Sequence, residues 1–174
     1  MEAEQMNPWF KSEFVDLLKG DAMNLPVKDN SIDVAAQNCL FNIFKSDDLK
    51  KAISEMYRVL KPHGKLVMSD PTCEQPMNDE LRNDERLRAL CLSGSLSIAE
   101  YVKALTDAGF GTIEIRARKP YRILDPKNYP TSEIIYIESI EVAAIKDPMP
   151  ADGPCVFTGK AAIYYGNEDY FDDG

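Results

Sequence analysis

The sequence predicts an α/β fold, a mostly parallel sheet with an antiparallel C-terminal edge. Ile32 to Gln37 and Lys65 to Asp70 are apolar runs separated by a helical stripe, and strands joined through a helix run parallel in one sheet. Thr112 to Ala117, Glu138 to Ile145 and Cys155 to Tyr165 then follow as strand-like runs with no helical pattern among them, the mark of an antiparallel part. A chain of 174 residues with 44% hydrophobic content can bury one core of this kind.

Each element has a local reason. Residues 1 to 13 are polar, aperiodic and contain Pro8, so this segment is expected to be poorly ordered. Phe14 to Leu18 is a short apolar run that reads as a strand. Gly20 to Ser31 is a loop, with Pro26 and the turn pair Asp29-Asn30. Ile32 to Gln37 alternates little beyond Asp33, as in a strand covered on both faces. The clearest helix is Asp47 to Leu60, where Leu49, Ile53, Met56, Tyr57 and Leu60 form one stripe. Ser46 can cap it, and Asp47 and Asp48 suit the positive end of its dipole. Lys61-Pro62-His63-Gly64 ends it. Asn78 caps a helix expected to run to Leu92. Ser97-Ile98-Ala99-Glu100 is a capping box, so another helix runs to Ala108, and Gly109 supplies its left-handed terminating residue. Asp152-Gly153-Pro154 turns the chain before the last strand. The domain is expected over 14–166, with 167–174 an acidic, frayed tail.

Charge narrows the partners. A net charge of −9 argues against binding nucleic acid, which needs clustered Lys and Arg. The basic stretch Arg116 to Arg122 alternates with apolar residues and reads as a solvated strand edge. No apolar run approaches a membrane span, and Met1 opens an acidic segment unlike a signal peptide, so a cytoplasmic chain is expected. The four cysteines, Cys39, Cys73, Cys91 and Cys155, have no zinc spacing and on their own read as small buried hydrophobes.

One pattern is missing. No G-x-G-x-x-G cluster occurs, and the close pair Gly109 and Gly111 follows a helix rather than opening one. The motifs present belong to the second half of a nucleotide-type α/β domain. They are Gly20-Asp21-Ala22 through Leu25-Pro26, Asn30-Ser31-Ile32-Asp33-Val34, and Arg58-Val59-Leu60-Lys61-Pro62 with Gly64.

Together these pieces resemble the class I S-adenosylmethionine-dependent methyltransferases, lacking the N-terminal half. More narrowly, Gln37-Asn38-Cys39-Leu40-Phe41-Asn42, Ser69-Asp70-Pro71-Thr72-Cys73, Cys91-Leu92-Ser93-Gly94-Ser95-Leu96 and the segment from Ile145 to Cys155 resemble arsenite methyltransferases of the arsenosugar-biosynthesis type. The resemblance implies a Rossmann-like sheet and S-adenosylmethionine as cofactor. It implies that the Asp21 carboxylate and the Ala22 amide face the adenine, that Asn38 touches the methionine part with Cys39 beside it, and that Cys39 and Cys91 hold trivalent arsenic. Cys73, just past its strand, is the candidate third thiol.

The chemistry suits those residue types. Trivalent arsenic is soft and thiolates are soft ligands. Thiolate-bound arsenic keeps its lone pair, so no catalytic base is required and none is assigned; alignment and exclusion of water remain. His63 and Cys155 read as structural, Asp70 as shaping the loop after its strand, and Tyr57, Tyr101 and Phe110 as core. Read without the resemblance, Asp21 is a turn aspartate bonded to its own backbone.

The missing half has physical consequences. Ile32 to Gln37 would become an exposed, unpaired edge, and such edges recruit other chains. Either the strand Phe14 to Leu18 docks beside it or two chains associate across it; the homodimer is the favoured expectation, and weakened cofactor binding is expected as well. The leading expectation is methyl transfer to arsenite, impaired in this chain. The alternatives are a non-catalytic thiol-based arsenic or soft-metal binder, and an interaction domain using the sheet edge.

Overall fold

The computed structural model describes residues 6–158 with the exception of 8, 10 and 76. Residues 1–5, 8 and 10 of the N-terminal segment 1–13, the part of the expected last strand beyond 158 and the acidic tail lie outside the described residues. The elements run β1 (Ile32–Asn38), α1 (Ser46–Val59), β2 (Leu60–Thr72), α2 (Asp79–Asn83), α3 (Glu85–Ala89), α4 (Ile98–Asp107), β3 (Thr112–Leu124), β4 (Ile135–Ile145) and β5 (Cys155–Phe157). They build one five-stranded sheet in the order β1-β2-β4-β3-β5.

The predicted α/β class and the parallel β1–α1–β2 unit are borne out. Both ladders of β4, to β2 and to β3, are antiparallel, and β5 lies parallel to β3. Four of the five strands therefore point one way, and the reversed strand β4 stands in the middle of the sheet, between β2 and β3, while the edge strand β5 is parallel to its neighbour rather than antiparallel as expected. Between Ile32 and Val34 the β1–β2 register jumps from Leu60 to Lys65, so Lys61-Pro62-His63-Gly64 loops out of the ladder. His63 takes a left-handed φ of 64° there and its Nδ1 lies 2.7 Å from Asp147 Oδ1, the structural role expected of it.

Helices α1 and α4 cover one face of the sheet. Leu49, Ala52, Ile53 and Met56 of α1 and Tyr101 and Leu105 of α4 pack on Leu66, Met68, Ile113, Ile115, Ile140, Val142 and Ala144. A second cluster fills the space under the far end of the β3–β4 hairpin, where Leu124, Ile135 and Ile137 meet Cys73, Met77, Leu81, Leu87 and Leu92. The Ser97–Glu100 capping box and the positive φ of Gly109 (109°) are both present, as the sequence predicts. Lys146 Nζ donates to the carbonyls of Tyr57 and Leu60, both at 2.8 Å, tying down the end of α1.

Several expectations are corrected. Phe14 to Leu18 is not a strand; a short 3-10 turn spans Ser12–Phe14 and the residues after it are exposed coil, because among the described residues no neighbouring strand completes a ladder with them. β1 is not covered on both faces: Val34 is 57% exposed and Ala36 is exposed as well, since helices pack on one side only. Ser46 is not a cap but the first helical residue of α1, whose N-cap position is Lys45. The expected helix from Asn78 to Leu92 is broken in two at Asp84, whose side chain accepts from the amides of Arg86 and Leu87 and restarts the helix as a new cap. β3 is longer than predicted at its end and β4 at its start, and β1 has no second strand neighbour among the described residues, the free edge the sequence points to.

Candidate functional site

The carboxyl ends of β1 and β2 lie side by side, with Asn38 paired to Ser69. Open α/β sheets present ligand sites at such ends. Just past β1, Cys39 turns the chain with a φ of 55°, while its amide still reaches the Ser69 carbonyl at 2.9 Å. Cys91 follows α3 with a φ of 59°. Few side chains other than Asn, Asp or Gly adopt this left-handed region, and a residue held there costs of order 1 kcal/mol or more.

The two cysteines, fifty-two positions apart in the chain, meet at this rim. Cys91 Sγ donates to the Cys39 carbonyl at 2.8 Å. Burial pushes the Cys39 thiol up, and the Asp70 carboxylate adds to the rise. The Cys91 thiol is pushed up to about 11, first by burial and then by Cys39 and Asp70. Both therefore stand as neutral thiols near pH 7.

Asp70 lies beneath them, at the end of β2, with no exposed surface. Its Oδ2 accepts from Gln37 Nε2, and Oδ1 has no hydrogen-bond partner. Burial raises its pKa to about 7, against the opposing pull of the Gln37 bond and of the Phe41 and Asn42 amides. Asn42 forms the other wall: its Nδ2 donates to the carbonyls of Pro71 (2.7 Å) and Cys91 (3.2 Å), and its Oδ1 accepts from the Tyr101 hydroxyl. Gly94 packs against Asn42 so closely that a Cβ there would stand 1.9 Å from the Asn42 carbonyl oxygen.

Of the residues singled out from sequence, Asn38, Cys39 and Cys91 share this rim. Cys73 does not join them. It is buried in the second cluster with Met77 and Leu81, and its Sγ donates to the Gln75 carbonyl at 3.2 Å. No group of three His, Cys, Asp or Glu side chains among the described residues is gathered as for a metal ion. Cys155 is exposed on β5, so the bland reading of four buried cysteines does not hold for it. Asp21 caps its own turn, with Oδ1 accepting the Met23 amide at 2.9 Å and the main chain closing from Asn24 N to Asp21 O at 3.0 Å. Arg58 and Glu55 hold the loop behind that turn: Glu55 Oε2 accepts the Leu25 amide, and Arg58 donates to the carbonyls of Leu25 and Val27 and to Asp29.

Sequence reasoning missed Gln37 and Asn42 as parts of the site. Both lie inside the quoted motif Gln37 to Asn42, and two amide side chains flanking Cys39 within three positions were the available signal. Asp70 faces the end of β1 through Gln37 rather than shaping the loop after its own strand, and Tyr101 is core, as read, but each holds one of these amides.

Comparison with known proteins agrees with this architecture. The methyltransferase domain family matches residues 2–68. An arsenite methyltransferase from Aquipseudomonas alcaligenes is 35% identical over 105 residues, which is 60% of this chain and 30% of the relative. A ubiquinone/menaquinone biosynthesis C-methyltransferase from a Ruegeria species is 45% identical over 67 residues, 38% of this chain and 24% of the relative. The crystal structure of an arsenic (III) S-adenosylmethionine methyltransferase from Chlamydomonas reinhardtii superposes with a TM-score of 0.63 at 24% identity, covering 76% of this chain and 44% of that one. The chain thus spans less than a third of the length of these curated relatives.

The Chlamydomonas protein that shares this fold is an S-adenosylmethionine methyltransferase, and two groups of this chain stand open at the surface near the same sheet edge. The Asp21–Asn24 turn is formed at the surface, with one Asp21 oxygen free of hydrogen bonds among the described residues, and Asn38 is exposed at the open rim of β1. Among the described residues no helix is long and apolar enough to cross a membrane. The chain carries methyltransferase-domain sequence over residues 2–68 on the fold of the class I S-adenosylmethionine-dependent methyltransferases, and the resemblance read from its motifs is borne out.

Proposed function

We propose that this chain forms the metalloid-receiving rim of an S-adenosylmethionine-dependent methyltransferase acting on trivalent arsenic, with Cys39 and Cys91 as the arsenic ligands. One observation carries the reading: two cysteines, each in a left-handed turn, bring a thiol within 2.8 Å of its partner's backbone at the carboxyl end of β1. Packing alone needs neither the strained backbone nor the pairing. Cys73 drops out of the ligand set, because its thiol is bonded within the second cluster.

The protonation state suits the exchange. Each neutral thiol gives its proton to a departing arsenic hydroxyl, which leaves as water while an As–S bond forms. Asn38 and the Asp21–Ala22 turn would hold the cofactor, which supplies an electrophilic sulfonium methyl. The thiolate-bound arsenic keeps its lone pair for that methyl, and the residues contribute alignment rather than proton transfer.

Binding of phenylarsine oxide, a trivalent arsenical that takes two thiols, tests the assignment. Cys39→Ser and Cys91→Ser are expected to weaken binding at least about tenfold each, and Cys73→Ser to leave it unchanged. Equal affinity in all four proteins would remove the metalloid reading. A binder without catalysis shares the same thiol pair. Calorimetry with S-adenosylmethionine separates the two, since only the enzyme reading requires cofactor uptake.

A further inference from the structure

Each cysteine of the pair rests on an amide side chain, Gln37 half-buried and Asn42 buried. Gln37 spans from sheet to turn: Nε2 donates to Asp70 Oδ2, and Oε1 accepts the Leu40 amide at 2.9 Å. One side chain thus fixes the residues on either side of Cys39 to a carboxylate at the end of β2. Asn42 does the same for Cys91, through its bond to the Cys91 carbonyl, while the Tyr101 hydroxyl holds its oxygen and Ser95 Oγ adds a second bond to that carbonyl at 3.2 Å. Asp70, Asn42 and Tyr101 are all buried.

These bonds are costly to keep without a purpose. A carboxylate with no exposed surface opposes folding. The β1–β2 ladder runs through Asn38 and Ser69 by backbone pairing and does not depend on the Gln37 side chain. What the Gln37 bonds do hold is the left-handed turn at Cys39.

We propose that Gln37 and Asn42 are positioning residues that preset the Cys39–Cys91 pair for a trivalent arsenical, Gln37 through its bond to Asp70 and Asn42 through its bond to Tyr101. The inference rests on the metalloid reading and adds to it the groups that make the pair ready. Two thiols that must converge on one arsenic lose less freedom on binding when their turns are already set. Residues behind the ligands typically tune affinity by 10- to 100-fold.

Calorimetric titration of the full chain with phenylarsine oxide tests this. Gln37→Leu removes both bonds of the amide and is expected to weaken binding about 10- to 100-fold. Asp70→Asn keeps a carbonyl oxygen for Gln37 Nε2 and is expected to stay within about threefold of the parent, the conservative variant thus separating the hydrogen bond from the charge. Thermal melting and a thiol count in denaturant confirm that each variant is folded and reduced. Parent-like affinity in Gln37→Leu, or equal losses in Gln37→Leu and Asp70→Asn, would overturn the positioning role. The Cys39→Ser and Cys91→Ser titrations report separately on the metalloid reading: if they bind as the parent does, that reading fails first.

Discussion

Replacing Asp70 by Asn should stabilise the protein at alkaline pH and flatten its pH dependence. In the folded chain burial raises the Asp70 carboxyl from its ordinary value of 3.8 to about 7. The folded state therefore holds this proton more tightly than the unfolded state does. The stability linked to it is complete below about pH 4 and is lost as pH rises through about 7. At about 1.4 kcal/mol for each pH unit, the whole linkage comes to about 4 kcal/mol. Between about pH 5.5 and about pH 8 the loss is about 2 kcal/mol. Urea denaturation at those two pH values, for the parent and Asp70→Asn, measures it directly. The parent should lose about 2 kcal/mol more than the variant across this interval, and the variant should be the more stable protein at the upper pH. Parallel pH profiles would refute the argument, because they would mean that Asp70 is already ionised and solvated in the fold.

Other perturbations probe different parts of the site. Gly94→Ala places a methyl 1.9 Å from the Asn42 carbonyl oxygen, which must move; a loss of about 1–3 kcal/mol is expected in chemical denaturation, with weakened phenylarsine oxide binding although no cysteine is touched. Iodoacetamide at about pH 8 should label exposed Cys155 first, whereas Cys91, buried and at about 11, keeps about one thiolate in a thousand and should label last by peptide mass spectrometry. Arg58→Ala removes the bonds to Leu25, Val27 and Asp29, so hydrogen exchange in Asp21–Ser31 should speed up while the α1 core around Ile53 keeps its protection.

Much of the frame was legible because its signals are local. The stripe of α1, the capping box at Ser97, the asparagine cap of α2 at Asn78 and the left-handed Gly109 each depend on residues a few positions apart. Boundaries were less legible where two local signals compete. Asp84 looks like a helical residue in the run from Asn78 to Leu92, yet its carboxylate captures two amides and starts a new helix. Ser46 looks like a cap, but the chain enters α1 one residue earlier. Phe14 to Leu18 has strand composition and no strand, since a ladder needs a neighbour that composition cannot supply.

The sequence by itself determined the α/β class, the parallel β1–β2 unit, the family resemblance and the identity of the two candidate thiols. Only the tertiary structure decided that Cys39 and Cys91 touch, that Cys73 turns into a separate cluster, and that Gln37, Asn42, Asp70 and Tyr101 surround the pair. The division has a physical cause. Helix stripes and caps are set by neighbours along the chain, whereas the meeting of two thiols depends on where β1, β2 and α3 end in space, which no local pattern encodes.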